Sequence, residues 1–422
     1  MARSLGFVMA ISLLWAFCAP QAAKARHWEL APLDYIYHGK YELALFEEND
    51  ALVPWKGTDE SYTNGSRLQL RMIGRAHATD TDGNALELIH DTAGNWLVES
   101  KNKLIYLGGW PDIGMARALN GASAISLKKD SRSGQWYLPV WRTNFVMVIG
   151  QNIYTPSDKS HLEPQTEGRP YAGWLYAGFF KETLTTEDLY YRYGLQLGCV
   201  GPCAFAEKTQ TWVHRNIVSS PVPQGWSNQI KDEFGVVLSG ELRKTVLDLP
   251  TAGGLNSRYF DLALYSDGNV GNIFTDLSAG AIIRLGWFAS YFYGQGESPV
   301  AAPKRAAEND QILALMAQEG VYPMTSDFGR ILPAGHEYYL FFRAESRAVI
   351  HNALLQGGQY GENDPYTVTP YRFVMEGELG LAYRRGPYSA QYAIGFISSE
   401  FNAERWRALR NIYGKLHLGF CF

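Results

Sequence analysis

The sequence predicts an all-β protein: a twelve-stranded antiparallel transmembrane β-barrel carrying one short helix in a surface loop. Three observations carry that expectation. The first is composition. Of 422 residues only 19% are charged and 14% are aromatic, with 26 Tyr and 42 Gly, and the mean hydropathy is slightly negative at −0.20. Soluble domains carry about 25% charged residues. A membrane barrel combines aromatic richness with modest hydropathy because only every second strand residue faces lipid. The second is the start of the chain, "MARSLGFVMAISLLWAFCAPQAAKA". Arg3, the apolar run Leu5 to Ala19 and the Ala23-Lys24-Ala25 triplet form a signal peptide, with cleavage expected after Ala25. Cys18 lies outside any convincing lipoprotein context. The run is too short to span a bilayer, and no later segment holds about 18 uninterrupted apolar residues. Membrane residence therefore has to use strands.

The third observation is period-two alternation. In "YRFVMEGELGLAY", Phe373, Met375, Leu379, Leu381 and Tyr383 share one face, and Arg372, Glu376 and Glu378 the other. In "NIYGKLHLGFCF", Ile412, Leu416, Leu418, Phe420 and Phe422 alternate with Tyr413, Lys415 and His417. "SRYFDLALYS" sets Phe260, Leu262 and Leu264 against Asp261, and "EFGVVLSGELRK" sets Val236, Leu238 and Leu242 against Glu233, Ser239 and Glu241. Charges inside apolar strands need a wet or paired interior, which a barrel lumen supplies. A soluble β-sandwich explains the alternation equally well, but not the aromatic chain end at Phe422 or the Trp and Tyr at strand ends.

Twelve strands follow at 41–49, 65–74, 143–150, 173–182, 190–199, 232–243, 257–266, 277–287, 337–349, 371–383, 388–398 and 411–422. With periplasmic termini, the loops 50–64, 151–172, 200–231, 267–276, 350–370 and 399–410 reach the cell surface. The segments 75–142 and 288–336 then fall on the periplasmic side. The first reads as an insertion within the barrel domain 26–422, and its "NWLVES" and "KLIYLGG" suit a small extra hairpin. A net charge of −4 gives no reason to expect a nucleic-acid partner.

The chemically useful residues collect in the surface loops: "EEND" (47–50), "SYTNG" (61–65), "GQNIYTPSD" (150–158), "GRPYAGWLY" (168–176), "GWSNQ" (225–229) and "DGNVGN" (267–272). A rigid scaffold carries its chemistry on such loops. In the third loop, "GPCAFAEKTQTWVHRNI" has helical spacing over 205–218. Glu207, Gln210, Thr211 and His214 share one face, while Phe205, Trp212, Val213 and Ile217 supply apolar surface elsewhere. His214 is either a polar spot on a loop helix or an imidazole oriented to deprotonate water. Asn49-Asp50 offers hard oxygen donors suited to Ca²⁺, or simply a strand-end turn. Thr63 returns beside Asp50 if the first loop is a hairpin. No G-x-S-x-G elbow and no P-loop is present, so metal-assisted attack by water fits better than a serine nucleophile. Cys199 and Cys203 flank a turn. They form a local disulfide or two free thiols, with metal ligation disfavoured by the spacing.

Together "ELALFEEND", "SYTNG", "GQNIYTPSD", "RPYAGWLY", "LQLGCVGP…AEKTQTWVH", "GWSNQ", "GNVGN…SAGAIIRLG", "DFGRILPAG" and "FFRAESRAVIHN", in order over 41–422, resemble the outer-membrane lipid A 3′-O-deacylase family. The resemblance implies a twelve-stranded outer-membrane barrel that uses Ca²⁺ to hydrolyse the ester of the 3′-acyloxyacyl group of lipid A in lipopolysaccharide. It implies a metal site at Asp50 and Asn49, a catalytic Thr63 and a His214 base, with Glu207 as the acid that orients the His. The 75–142 segment is longer than the family leads one to expect. A phospholipase-like barrel and a non-catalytic channel or scaffold are the alternatives.

Overall fold

The computed structural model describes residues 41–422 except 55–60, 73–75, 157, 164–167, 186–187, 218–220, 252–253, 290–335, 361–363, 365, 386–387, 403–411 and most of 80–140. The signal peptide, "NWLVES" and "KLIYLGG" lie outside the described residues. The barrel strands are β1 (Tyr41–Asn49), β2 (Ser61–Met72), β3 (Trp141–Thr155), β4 (Ala172–Thr185), β5 (Leu189–Val200) and β6 (Glu233–Thr251). They continue with β7 (Gly254–Gly271), β8 (Phe274–Ala289), β9 (His336–Asn352), β10 (Phe373–Arg385), β11 (Tyr388–Ile397) and β12 (Ile412–Cys421). Each pairs antiparallel with its chain neighbour, β2 pairs with β3, and β12 returns to β1. The result is a closed twelve-stranded barrel, as expected from alternation, and closure gives every barrel strand a partner on both sides. Among the described residues no helix is long and apolar enough to cross a membrane.

The alternation is realised side by side. Leu43, Leu45, Leu68, Ile149, Leu238, Leu340, Leu379 and Leu418 stand exposed on the outer wall, while Glu42, Asp261, Arg284, Glu378 and His417 are buried inside. The interior is wired by ion pairs. Arg71 bridges Glu42 and Glu182, the latter at 2.5 Å, and Asn144 adds 2.9 Å to Glu182. Arg284 clasps Asp261 through two nitrogens, at 2.9 and 2.5 Å. Lys415 joins Glu48 at 3.3 Å and also pairs with Glu378. Toward the end where β1 runs into the first loop, an apolar cluster joins the polar interior. Trp174, Val200, Ile230, Val237, Ile273 and Leu354 form a buried cluster, to which α2 (Ala353–Gln356) contributes. Burying such side chains stabilises by roughly 1.5–3 kcal/mol each.

Several strands run further than expected. Turn-forming composition predicts a loop over 267–276, but β7 continues through "DGNVG" and only 272–273 lie between β7 and β8. The lumen explains this. Asp267 accepts from Ser278 Oγ at 2.5 Å, and Asn269 bonds Asp276 and Ser239 at 2.9 and 2.7 Å. Polar side chains that favour turns in water are equally satisfied on a wet barrel interior. Two short antiparallel pairs, Ala76–Thr79 with Ala85–Glu87 and Lys128–Lys129 with Trp136–Tyr137, occupy the 75–142 segment.

Candidate active site at the outer rim

β1 ends at Asn49, and the chain turns at once into a 3₁₀ helix, Asp50–Leu52. Asn49 makes the turn: its Oδ1 accepts the Ala51 N–H at 2.8 Å, satisfying one of the turn's orphan donors. Asp50 is fully buried. Thr63 lies where the β2–β3 register skips from Tyr62↔Tyr154 to Asn64↔Ile153, a β-bulge of the kind that re-aims backbone near functional sites. Asn49 pairs with Asn64, where the ladder ends, so Asp50 and Thr63 are the chain neighbours of its last pair.

The helix comes against the same sector. The cross-strand row Asn49↔Asn64↔Ile153↔Gly173 passes over β1, β2, β3 and β4. Even-numbered neighbours such as Tyr154 and Trp174 line the lumen, so this row faces outward. Helix α1 (Ala206–Asn216) is seated on it: Ile153, Ala206, Tyr171 and Trp226 pack as one buried cluster. Gly173 permits the approach, since a Cβ there would stand 2.5 Å from the Ala206 Cβ. The chain reaches the helix through Gly201, at φ +97°, a left-handed value glycine adopts without steric cost. The Gly201 N–H donates to the Gly173 carbonyl at 3.1 Å, and Gln151 Nε2 donates to the Ala204 carbonyl at 2.6 Å. Between these, Cys199 and Cys203 form a disulfide, with Cα atoms 6.0 Å apart. Among the described residues the one group of His, Cys, Asp or Glu that could share a metal is Cys199, Cys203 and Asp232. Its thiols are consumed by that disulfide.

On α1, Gln210 and His214 are buried and Glu207 is exposed. Gln210 Oε1 accepts from Trp226 Nε1 at 2.9 Å, a bond worth about 1 kcal/mol net and costlier to leave unmade. Trp226 belongs to a 3₁₀ turn, Gly225–Asn228, and packs at a tilt of 53° against Tyr171 with centroids 4.8 Å apart. Burial pushes the Tyr171 phenol up to about 12, so it stays neutral. His214 Nδ1 meets the Pro221 carbonyl at 2.7 Å. A carbonyl only accepts, so a neutral ring donates through Nδ1 and carries its lone pair on Nε2.

Orientation of His214 by Glu207 is not what this arrangement shows. The two are seven residues apart, about 10 Å along the helix axis, and the ring nitrogen that would need orienting is held by Pro221. Glu207 stands in the first turn, where a carboxylate meets the positive end of the helix dipole. Pro221 and Trp226 were not legible as site residues. "GWSNQ" marked the second segment, but nothing in the sequence says that a carbonyl seven residues after the His returns to it. The exposed Phe205, Trp212 and Ile217 complete α1 as an apolar outer surface, suited to a lipid interface.

The chain matches the family described as Outer membrane protein LpxR over residues 7–422. Among solved structures it is similar to LpxR from Salmonella typhimurium at 20% identity, covering 90% of this chain and 99% of that one with a TM-score of 0.55. That likeness concerns the fold. The transport unit of the autotransporter AIDA-I from Escherichia coli is similar at 7% identity, 99% and 97% coverage and a TM-score of 0.30, too low to argue from. No curated protein matches.

Proposed function

This chain belongs to the LpxR family of outer membrane proteins, and from that premise we propose that it is a calcium-assisted ester hydrolase of lipid A, removing the 3′-linked acyloxyacyl chain. The observation that carries the proposal is the placement of His214. The ring is buried on a helix whose first turn packs on the outer wall at β3 and β4, beside β2 and β1, the strands that lead to Thr63 and Asp50; in this reading an amphiphile in the outer leaflet lies alongside.

In this reading the Pro221 carbonyl fixes the tautomer of His214, and Nε2 takes a proton from water. The water attacks the ester carbonyl, and the imidazolium then returns the proton to the departing alkoxide oxygen. The donor set fits a hard cation: the Asp50 carboxylate would hold it, with the second lone pair of Asn49 Oδ1. A bound Ca²⁺ supplies Lewis acidity toward a developing oxyanion. A single carboxylate makes for a weakly held ion that a chelator removes easily. Thr63 orients the substrate. Glu207 supports the helix through its dipole.

The channel alternative loses support from the interior, which is crossed by ion pairs and carries the Trp174 cluster toward the loop end. A phospholipase-like reading differs only in substrate. Mass spectrometry of lipid A and of a glycerophospholipid after incubation with purified protein, with Ca²⁺ or chelator, decides. The expected result is loss of the 3′-linked acyloxyacyl mass from lipid A with Ca²⁺ alone. Acyl release only from glycerophospholipid, or release unaffected by chelator, would overturn the reading.

A further inference from the structure

One same-face row below Asn49, the outer wall turns polar over β1, β2 and β3. The row reads Leu416↔Glu47↔Ser66↔Gln151↔Leu175↔Cys199↔Phe234 across β12, β1, β2, β3, β4, β5 and β6. The next row down, Leu418↔Leu45↔Leu68↔Ile149↔Ala177↔Leu197↔Val236, is apolar throughout. The polar stretch thus coincides with the three strands beneath Asp50, Thr63 and the seat of α1. Gln151 is committed to the Ala204 carbonyl. Glu47 is not committed in that way. It is half-buried, accepts from Ser66 Oγ at 2.6 Å and from Asn64 Nδ2, and has the Asn49 amide beside it. These partners are neutral, and among the described residues no cation bridges Glu47. A carboxylate has about four lone-pair sites, so acceptor capacity remains. A charge facing lipid is unfavourable unless something polar meets it, with the cost smallest near the interface.

We propose that Glu47, flanked by Asn64 and Ser66, is an acceptor subsite on the lipid-facing wall for a hydroxyl or amide N–H of the acylated amino sugar whose ester is held above it. Two residues along a strand span about 7 Å, so Glu47 meets a polar group a few bonds from the reacting ester. The subsite rests on the lipid A reading, and it gives Glu47 a role in substrate binding and not in bond breaking.

The experiment measures kcat and KM for acyl release from lipid A with Glu47→Leu, Glu47→Gln and Ser66→Val proteins, with barrel folding checked by heat-modifiable gel mobility. Glu47→Leu is expected to raise KM about tenfold with kcat within twofold. Glu47→Gln, which keeps one acceptor oxygen, should raise it about threefold. Ser66→Val gives a second reading if Glu47→Leu fails to fold, and should raise KM about threefold. A KM within twofold of wild type for both Glu47→Leu and Glu47→Gln overturns the subsite. So does a fall in kcat at constant KM, or a raised Ca²⁺ requirement at constant KM. A parallel arm measures retention of lipid A by His214→Ala protein with and without Glu47→Leu, which needs no turnover. An approximately tenfold loss of retention supports the subsite even if the wild type releases no acyl chain and the hydrolase reading fails. Unchanged retention overturns it even if acyl release proceeds.

Discussion

Glu47 and Glu48 are consecutive in β1, yet they face opposite sides of the wall in different chemical company. Glu48 faces the lumen and meets Lys415 at 3.3 Å, within a web that also takes in Glu378 and Glu376. Glu47 faces outward, with the neutral donors Asn64 and Ser66. The lumen compensates charge with charge, and the outer wall near the rim does not. Interior charges cross-link the strands, while the polar groups outside are the ones the proposed subsite would use. The same division separates Arg71, between two buried carboxylates, from His214, whose Nδ1 meets a backbone carbonyl.

That contrast is open to direct tests. The largest effect belongs to the outer wall. His214→Ala should lower the rate of acyl release by on the order of 10²–10⁴, the usual contribution of a general base, with unchanged thermal unfolding. A folded variant releasing acyl chains at the normal rate would remove His214 from the chemistry. Next comes Gly173→Leu. Its side chain would intrude where Ala206 now rests, lifting α1 from the wall, and misplacing a base by about 1 Å can cost on the order of 10²-fold. Rates within threefold of wild type would show that the helix need not sit so close. The lumen should respond in stability and not in rate. Arg71→Ala leaves Glu42 and Glu182 buried without their shared cation. Breaking a buried pair in this way costs about 3–5 kcal/mol. The thermal midpoint should fall while the specific rate of the folded fraction holds. A lost rate at full stability would mean that the two faces are coupled.

Much of this was legible in advance because alternation is a local property. Met375 and Leu379 outward, Glu376 and Glu378 inward, follow from period two and from the cost of leaving a carboxylate in lipid. Asn49, Asp50 and Thr63 could be associated because a hairpin brings its two ends together. Strand ends were read less well. "DGNVGN" has turn composition, and its extension into β7 depends on partners from β6 and β8 that no local window contains. Glu207 shares a helical face with His214 by periodicity, whereas the Pro221 carbonyl at Nδ1 comes from beyond the helix, where no periodicity points.

From the sequence by itself come the exported barrel, its twelve strands, the helix that interrupts them and the identity of the polar residues at the rim. These depend on periodicity, composition and motif order, each carried within a few neighbouring residues. Only the closed structure decided which wall α1 leans on, that Pro221 holds His214, that Cys199 and Cys203 are joined, and that Glu47 shares a row with Ser66 and Gln151. Those facts depend on the register between strands distant along the chain and on the close approach that Gly173 allows. Cross-strand pairing sets them, and it exists only once the barrel has closed.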